Sequence, residues 1–366
     1  MGTQASNPMH SESDTATETR VFTEPAPGGF NPTGSRAAAT IQELQDHSNE
    51  LSVSQSFYRD VVKGLESNPR TLPSRYFYDD EGSELFQKIT ELPEYYPAAC
   101  EREILSSNSG LIAEYLGNDF GLIELGPGDG HKSYHLLEAL LGAGSRFRYY
   151  PVDISRGIMP PLRQNLNSLD LNFHGLVGDY EAGLQYLSGR EDRHVVLFLG
   201  SSIGNFSMDQ AADFLRRIRM SLGKGDLLLI GFDMVKDPSV LIPAYSDSRG
   251  VTAEFNLNLL RRMNRELQAN IDPENFLHHA AFNPRNRAME SFLISRIPQS
   301  FQIKDSSGLH HSFEFGSFEA IQTETSQKYT FEDLNNLAMR SGFRIQKNFQ
   351  DSKEYFTDSL WIADAL

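Results

Sequence analysis

The chain has 366 residues, with 49 acidic against 33 basic side chains, a formal net charge of −16 and an isoelectric point near 5.1. No basic cluster is present, so a polynucleotide substrate and an anionic membrane surface are both disfavoured. A single cysteine, Cys100, excludes an intramolecular disulfide and a cysteine-built zinc site, and it fits a reducing cytosol. No apolar run reaches the roughly 20 residues that span a bilayer. The length suits one large domain with an insertion, or two domains sharing a cleft.

Residues 1–36 are rich in Ser, Thr, Gly and Pro, with scattered acids. They lack both a signal-peptide core and an Arg-rich, acid-poor presequence, and read as a disordered tail; a docking role is the alternative. From residue 37 to about 65 the apolar positions Ile41, Leu44, Leu51, Phe57, Val61 and Leu65 predict a helix. Residues 37–110 are expected to form a helical segment that contributes to a substrate lobe. Tyr76, Tyr78, Tyr95 and Tyr96 gather in its second half. Amphipathic core packing explains Tyr76 well. Tyr95 and Tyr96 lie between Pro93 and Pro97, and a segment stiffened by proline suits the presentation of a phenol.

The stretch LIELGPGDGHK, Leu122–Lys132, organises the rest of the chain. An apolar strand breaks into Gly126, Gly128 and Gly130, and a helix is expected from about Lys132. Strand, glycine turn, helix is the layout of a nucleotide-binding crevice at the carboxyl end of a central strand. Glycine lets the backbone pass close under a ligand, and the helix start offers unpaired N–H groups. The spacing is G-x-G-x-G with Glu124 two residues ahead, not the dinucleotide form G-x-G-x-x-G. It resembles the first motif of S-adenosylmethionine (SAM)-dependent methyltransferases, with a plain glycine-rich turn as the alternative.

Further short apolar strands are expected at 147–153, 171–178, 195–199 and 227–232, separated by helices such as 210–222. Such alternation predicts a parallel sheet covered on both faces. Asp153 closes the second strand, where an acid can bond ribose hydroxyls or cap the next helix. Asp179 and Tyr180 follow the third strand and can bond and flank an adenine, or be ordinary loop residues. The fourth strand ends in GSSIGNF, Gly200–Phe206. Asn205 there offers both an amide donor and a carbonyl acceptor to a substrate; Gly-Asn turn chemistry is the plainer account. Residues 235–329 break the alternation and read as an inserted lobe, with a helix at about 252–267 and strands at 289–296 and 311–325. The main fold resumes with a Thr-x-x-Asp helix start at Thr330 and two last strands at 343–349 and 359–363, a hairpin at the sheet edge. The SAM-binding core is thus expected to comprise 111–234 and 330–366.

With these residues in hand, the chain resembles the L-histidine Nα-methyltransferase family. FYDDEGSELFQKITELPEYYP, ELGPGDGHK, FLGSSIGN, DMVKDPSVLIPAYSDSRGVTAEFN and TETSQKY stand in the family's order and cover about 70–366. The resemblance implies an α/β fold: a Rossmann-like SAM methyltransferase core, mostly a parallel sheet with helices on both faces, and a second α+β substrate-binding lobe. It implies a cytoplasmic transferase, a monomer or weak oligomer, that needs no metal. SAM serves as the methyl-donor cosubstrate for three transfers to the α-amine of L-histidine, giving hercynine, the first step of ergothioneine biosynthesis. The implied cofactor set is Gly126, Lys132, Asp153, Asp179 and Tyr180. Tyr95, Asn205 and Tyr245 would hold the amine and carboxylate, and Tyr78 would line the transfer site. Glu324 and Ser326 would bond the imidazole, with Ser291 where some members carry a methionine. Tyr78, Tyr95 and Asn205 form the expected catalytic group, in which Tyr95 and Asn205 hold the amine as free base while water takes the proton. Read without the resemblance, Glu324 in a strand-like run is a solvated surface charge. The alternatives are the same fold acting on another amino acid or small amine, an NAD-dependent oxidoreductase, disfavoured by the glycine spacing, and a non-catalytic SAM-binding protein.

Overall fold

The computed structural model describes residues 39–44, 53–188, 193–305 and 308–364. The tail expected at 1–36 lies outside them. The described chain opens with a strand, β1 (Thr40–Glu43), before the first helix, α1 (Val53–Glu66). This corrects the helix expected from residue 37. Ile41 is not on a helical face: β1 pairs parallel with 174–177 at the sheet edge, and Thr40 Oγ1 lies 2.9 Å from His174 Nδ1. A four-residue edge strand carries too little apolar alternation to announce itself.

Next come α2 (Asp80–Thr90), α3 (Tyr96–Leu116), β2 (Phe120–Leu125), α4 (Tyr134–Gly142), β3 (Phe147–Asp153), α5 (Met159–Asn165), β4 (His174–Val177) and α6 (Tyr180–Leu187). The alternation continues through β5 (Arg193–Phe198), α7 (Met208–Met220) and β6 (Leu227–Asp233). The eight-stranded sheet they build, with two later strands, has the order β1-β4-β3-β2-β5-β6 and then two antiparallel additions. Its central strands β2, β3, β5 and β6 read as largely continuous apolar runs because both faces are covered. Side chains alternate between the two faces. Phe120, Leu122, Val195, Leu197, Leu227 and Leu229 enter one core, while Ile123, Leu125, Val196, Phe198, Leu228 and Ile230 enter the other. Helix starts are fixed locally. Asp79 Oδ1 accepts from Gly82 N at 2.7 Å to cap α2, and Ser207 and Gln210 exchange a capping box at the start of α7.

The chain then leaves the sheet through α8 (Pro238–Tyr245) and α9 (Val251–Glu266), followed by β7 (Phe276–Asn283), β8 (Ala288–Ser295), β9 (Gln299–Lys304), β10 (His310–Phe315) and β11 (Ala320–Gln327). These strands form a three-stranded antiparallel sheet, β11-β8-β7, and a two-stranded one, β10-β9. β7 and β9 were not among the expected strands. One hydrophobic core joins this region to the early helices: Phe57, Val61 and Ile89 pack with Phe255, Leu259, Leu293, Phe301 and Ile321. Helix α3 behaves differently from the helices before it. Its Ile104, Leu105, Ile112 and Leu116 belong to the core on one face of the large sheet. The chain returns through α10 (Phe331–Ser341), capped by the Thr330–Asp333 box, to β12 (Phe343–Gln350) and β13 (Phe356–Ala363). β12 and β13 are the expected hairpin, with β12 at the edge and β13 inserted against β6.

Candidate active site at the carboxyl ends of the strands

The sheet order reverses at β2, with β3 on one side and β5 on the other, so a crevice opens above the carboxyl ends of these strands. Gly126 follows β2, Asp153 ends β3, Asp179 follows β4, Gly200 follows β5 and Asp233 ends β6. The five expected cofactor residues all border this crevice. Gly126 has φ +70°, and a Cβ there would stand 2.9 Å from the Tyr180 hydroxyl. The side where Gly128 would carry a Cβ is open. Loop and phenol therefore form a cradle that a side chain would fill, and it fits an adenosine laid against the glycine turn. The Tyr180 ring is held from behind by Phe198 and Phe214, at centroid distances of 5.5 and 6.0 Å.

Asp153 and Asp179 both accept local backbone bonds. Asp153 Oδ1 accepts from Ser155 N at 2.9 Å, a local turn bond. Burial still pushes its carboxyl up to about 6, above its ordinary 3.8. A half-buried carboxylate with that little compensation suits the two hydroxyls of a ribose. Asp179 is exposed and caps α6 through Ala182 N at 2.8 Å. Lys132 sits in the turn before α4, which starts at Tyr134 rather than at Lys132. Its Nζ lies 3.2 Å from Glu101 Oε2, and Glu101 Oε1 accepts from Gly200 N at 2.6 Å. Glu101, on α3, thus ties the glycine turn to the end of β5; nothing in the sequence pattern singled it out.

Of the expected substrate residues, Tyr78, Tyr95, Tyr245, Glu324 and Ser326 gather on the other side of the crevice. Tyr78, Tyr95 and Phe86 form a chain of edge-on rings, with Tyr78–Phe86 at 5.5 Å and Phe86–Tyr95 at 6.2 Å; Tyr95 meets Tyr245 at 6.4 Å. Burial pushes the Tyr78 phenol well above its ordinary range, and Glu324, Tyr95, Tyr180 and Tyr245 add to the effect. Tyr78 therefore feels Tyr180 beside the glycine turn as well as Glu324, Tyr95 and Tyr245.

Glu324 is not the solvated surface charge that its strand alone would suggest. The β11–β8 register shifts between Gln322 and Glu324, a bulge that turns Glu324 inward opposite Ser291. Ser291 Oγ donates to Glu324 Oε2 at 3.2 Å, so the serine noted in the sequence touches the acid it was expected to accompany. Burial raises the Glu324 carboxyl, and Lys328 and Ser291 partly oppose this. Beyond the bulge, Glu324, Ser326 and Lys328 take alternate positions and share one face.

Asn205 ends a short 3-10 turn, Ser202–Asn205, and is exposed. The neighbouring Gly204 sits so close to β11 that a Cβ would lie 3.1 Å from the Gln327 carbonyl and 3.4 Å from Ser326 Oγ. Tyr329 locks this approach by donating to the Ile203 carbonyl at 3.0 Å.

Behind the phenols lies a buried charge network. Lys328 Nζ lies 2.8 Å from Asp233 Oδ2, and both side chains are almost fully buried, at 0% and 1% exposure. Lys236 pairs with the other Asp233 oxygen, and the Tyr96 hydroxyl reaches both, at 2.8 and 2.7 Å. Burial pushes the Asp233 carboxyl up, but the two ammonium groups outweigh it and hold the group below the usual range. Sequence reasoning named neither lysine. The available signal for Lys328 was its place two residues after Ser326 and four after Glu324. For Asp233 it was an acid closing a strand, as Asp153 does. Tyr96 was grouped with Tyr95 in a rigid loop, yet it begins α3 and points the opposite way, into this network.

Residues 57–363 match a family described as "Histidine-specific methyltransferase, SAM-dependent". Over 290 residues, covering 78% of this chain and 88% of the relative, the chain is 37% identical to a histidine N-alpha-methyltransferase of Mycobacterium tuberculosis. It is 32% identical over 308 residues to the ergothioneine biosynthesis protein 1 of Neurospora crassa, covering 79% of this chain and 33% of the relative. It is 30% identical over 286 residues to a 4-dimethylallyltryptophan N-methyltransferase of Claviceps fusiformis, covering 71% of this chain and 78% of the relative. The chain belongs to the family of histidine-specific, SAM-dependent methyltransferases.

Proposed function

We propose that the protein methylates the α-amine of L-histidine three times from SAM, giving hercynine on the way to ergothioneine. The observation that carries the reading is the polar set of half-buried Glu324 with buried Ser291 and Ser326, beside three phenols and across the crevice from the glycine cradle. Bound SAM supplies a methyl group already activated on a sulfonium. Placement is then the protein's main task, and near-attack positioning is worth roughly 7–11 kcal/mol.

Gly126, Asp153, Asp179 and Tyr180 would hold the adenosine, with Lys132 toward the methionine end. Tyr95 and Asn205 hold the α-amine unprotonated, Asn205 and Tyr245 take the carboxylate, and Tyr78 lines the transfer path. Glu324 accepts an N–H of the imidazole, and Ser326 meets the ring beside it. The rings of Tyr78, Tyr95 and Tyr245 also suit a growing methylammonium, which cation–π attraction retains between transfers. In this reading 111–234 and 330–366 form the SAM core, and 235–329, with a contribution from 37–110, forms the substrate lobe.

The Claviceps relative's name shows that an indole-bearing amino acid is a substrate elsewhere in this group. A half-buried carboxylate with two buried serines is a costly floor for an indole and a good one for an imidazole. Among the described residues no helix is long and apolar enough to cross a membrane. With one cysteine and a charge of −16, we place the reaction in the cytoplasm, on a free small molecule, by a monomer or weak oligomer.

The test is mass spectrometry after incubating purified protein with SAM and an equimolar pool of the twenty amino acids plus histamine. A gain of three methyl groups on histidine alone is expected. Methylation of a different pool member would overturn the imidazole assignment while leaving the transferase chemistry in place.

A further inference from the structure

The hydroxyls of Tyr245 and Ser326 lie 2.7 Å apart. Lys328 Nζ lies 2.8 Å from each of them, and 2.8 Å from Asp233 Oδ2. An ammonium has three N–H donors and no acceptor. All three are committed here: one to Asp233, one to the Tyr245 oxygen and one to the Ser326 oxygen. Both hydroxyl oxygens therefore already accept. The two hydroxyls carry two protons between them, and one lies in their mutual bond. The second cannot turn to Lys328, which has nothing to receive it, so it points away from the network. Lys328 cannot swing aside, because Asp233 holds it in place and is itself held by Lys236 and Tyr96.

We propose that Lys328 is a positioning residue that makes the Tyr245–Ser326 pair a donor of a single proton, aimed at the carboxylate of the amino-acid substrate. A charge-assisted bond to a carboxylate is the strongest use of that proton. Tyr245 then donates to the substrate, Ser326 donates to Tyr245, and Ser326 keeps a lone pair toward the ring. The lysine charge lies just behind the phenol, 4.7 Å from its ring centre, and adds attraction for an anion. The device explains why a buried cation stands next to an amine-binding site that it would otherwise repel: it selects amines that carry a carboxylate. This inference rests on the proposed function above.

The test compares full-length wild type with Lys328→Met for histidine turnover, for inhibition by histamine, which lacks the carboxylate, and for SAM binding. The expected result is a histidine KM raised about 10- to 100-fold, the range of a lost hydrogen bond to a charged group. The inhibition constant of histamine should move less than about threefold and the SAM Kd less than about twofold, since neither ligand meets the pair through a carboxylate. Equal losses for histidine and histamine, or an unchanged histidine KM, would overturn the proposal. Should Lys328→Met lose SAM binding through misfolding, a double-mutant cycle of Tyr245→Phe and Ser326→Ala decides. One shared proton requires strongly coupled effects on histidine KM, and additive effects refute it. Failure of the proposed function is distinguishable, because wild type would then leave histidine unmethylated. The same comparison would be made with the amino acid found in the pool and its decarboxylated amine.

Discussion

Replacing Asp153 by Asn should stabilise the ligand-free protein and weaken SAM binding. Asn keeps the oxygen that accepts from Ser155 N at 2.9 Å, so the turn survives and the charge alone is lost. Burial raises the Asp153 carboxyl from 3.8 to about 6. Each pH unit of such displacement is worth about 1.4 kcal/mol, so the ionised form costs the fold about 3 kcal/mol at most above pH 6. Partial solvent access screens part of this, leaving about 1–2 kcal/mol. For a chain of this length that corresponds to a rise in Tm of about 1–3 °C. The folded-state value lies above the unfolded one, so the wild type loses stability as pH rises from about 4 through about 6. The variant does not, so the gap in Tm should open across that window and stay constant above it. Binding should run the other way. The Asn variant lacks the charged acceptor for the ribose hydroxyls and should bind SAM about 10- to 100-fold more weakly at pH 8. The wild-type Kd should rise toward tenfold per pH unit below about 6, and the variant's should stay flat. Scanning calorimetry and titration calorimetry at pH 4.5, 6 and 8 measure both quantities. A variant less stable at pH 8, or a Tm gap that ignores pH, would refute the burial argument. An unchanged SAM Kd would refute the ribose assignment.

Distances in the crevice set two further outcomes. Gly126→Ala puts a methyl group 2.9 Å from the Tyr180 hydroxyl at a φ of +70°. It should cost at least about tenfold in SAM affinity by titration calorimetry while the circular dichroism stays native; wild-type affinity would remove Gly126 from the cradle. Burial raises the Glu324 carboxyl, so the wild-type histidine KM should climb as falling pH protonates it and the ring N–H loses its acceptor. Glu324→Gln should raise KM about tenfold at pH 8 and abolish that acid limb, and a KM–pH profile that keeps the limb in the variant would exclude Glu324 as its source.

The central strands were legible because burial on both faces leaves a plain signature. LIEL, FRYYPVD, VVLFL and LLLIGF are apolar runs of strand length, and each appears in the sheet within a residue or two. The glycine turn and the acid after β3 were legible for a related reason, since backbone approach and strand-end acids are local features. β1 was not, because TIQE is short, edge-placed and exposed. β7, FLHHAAFN, was missed because it shows no clean alternation: apolar Leu277 faces outward with His279, while polar His278 lies on the inward side.

The sequence by itself determined the alternation of strands and helices, the position of the cofactor turn and, through its motifs, the family. What it could not determine is which distant residues share a proton or a charge. The Tyr96–Asp233–Lys236–Lys328 network joins separated segments of the chain, and Glu324 faces inward because of one bulge that no period reveals. Hydrogen-bond and Coulomb energies depend on distances of a few ångströms between segments far apart in sequence. Those distances exist once the sheet and the inserted lobe have packed, so tertiary structure decided the chemistry of the substrate side.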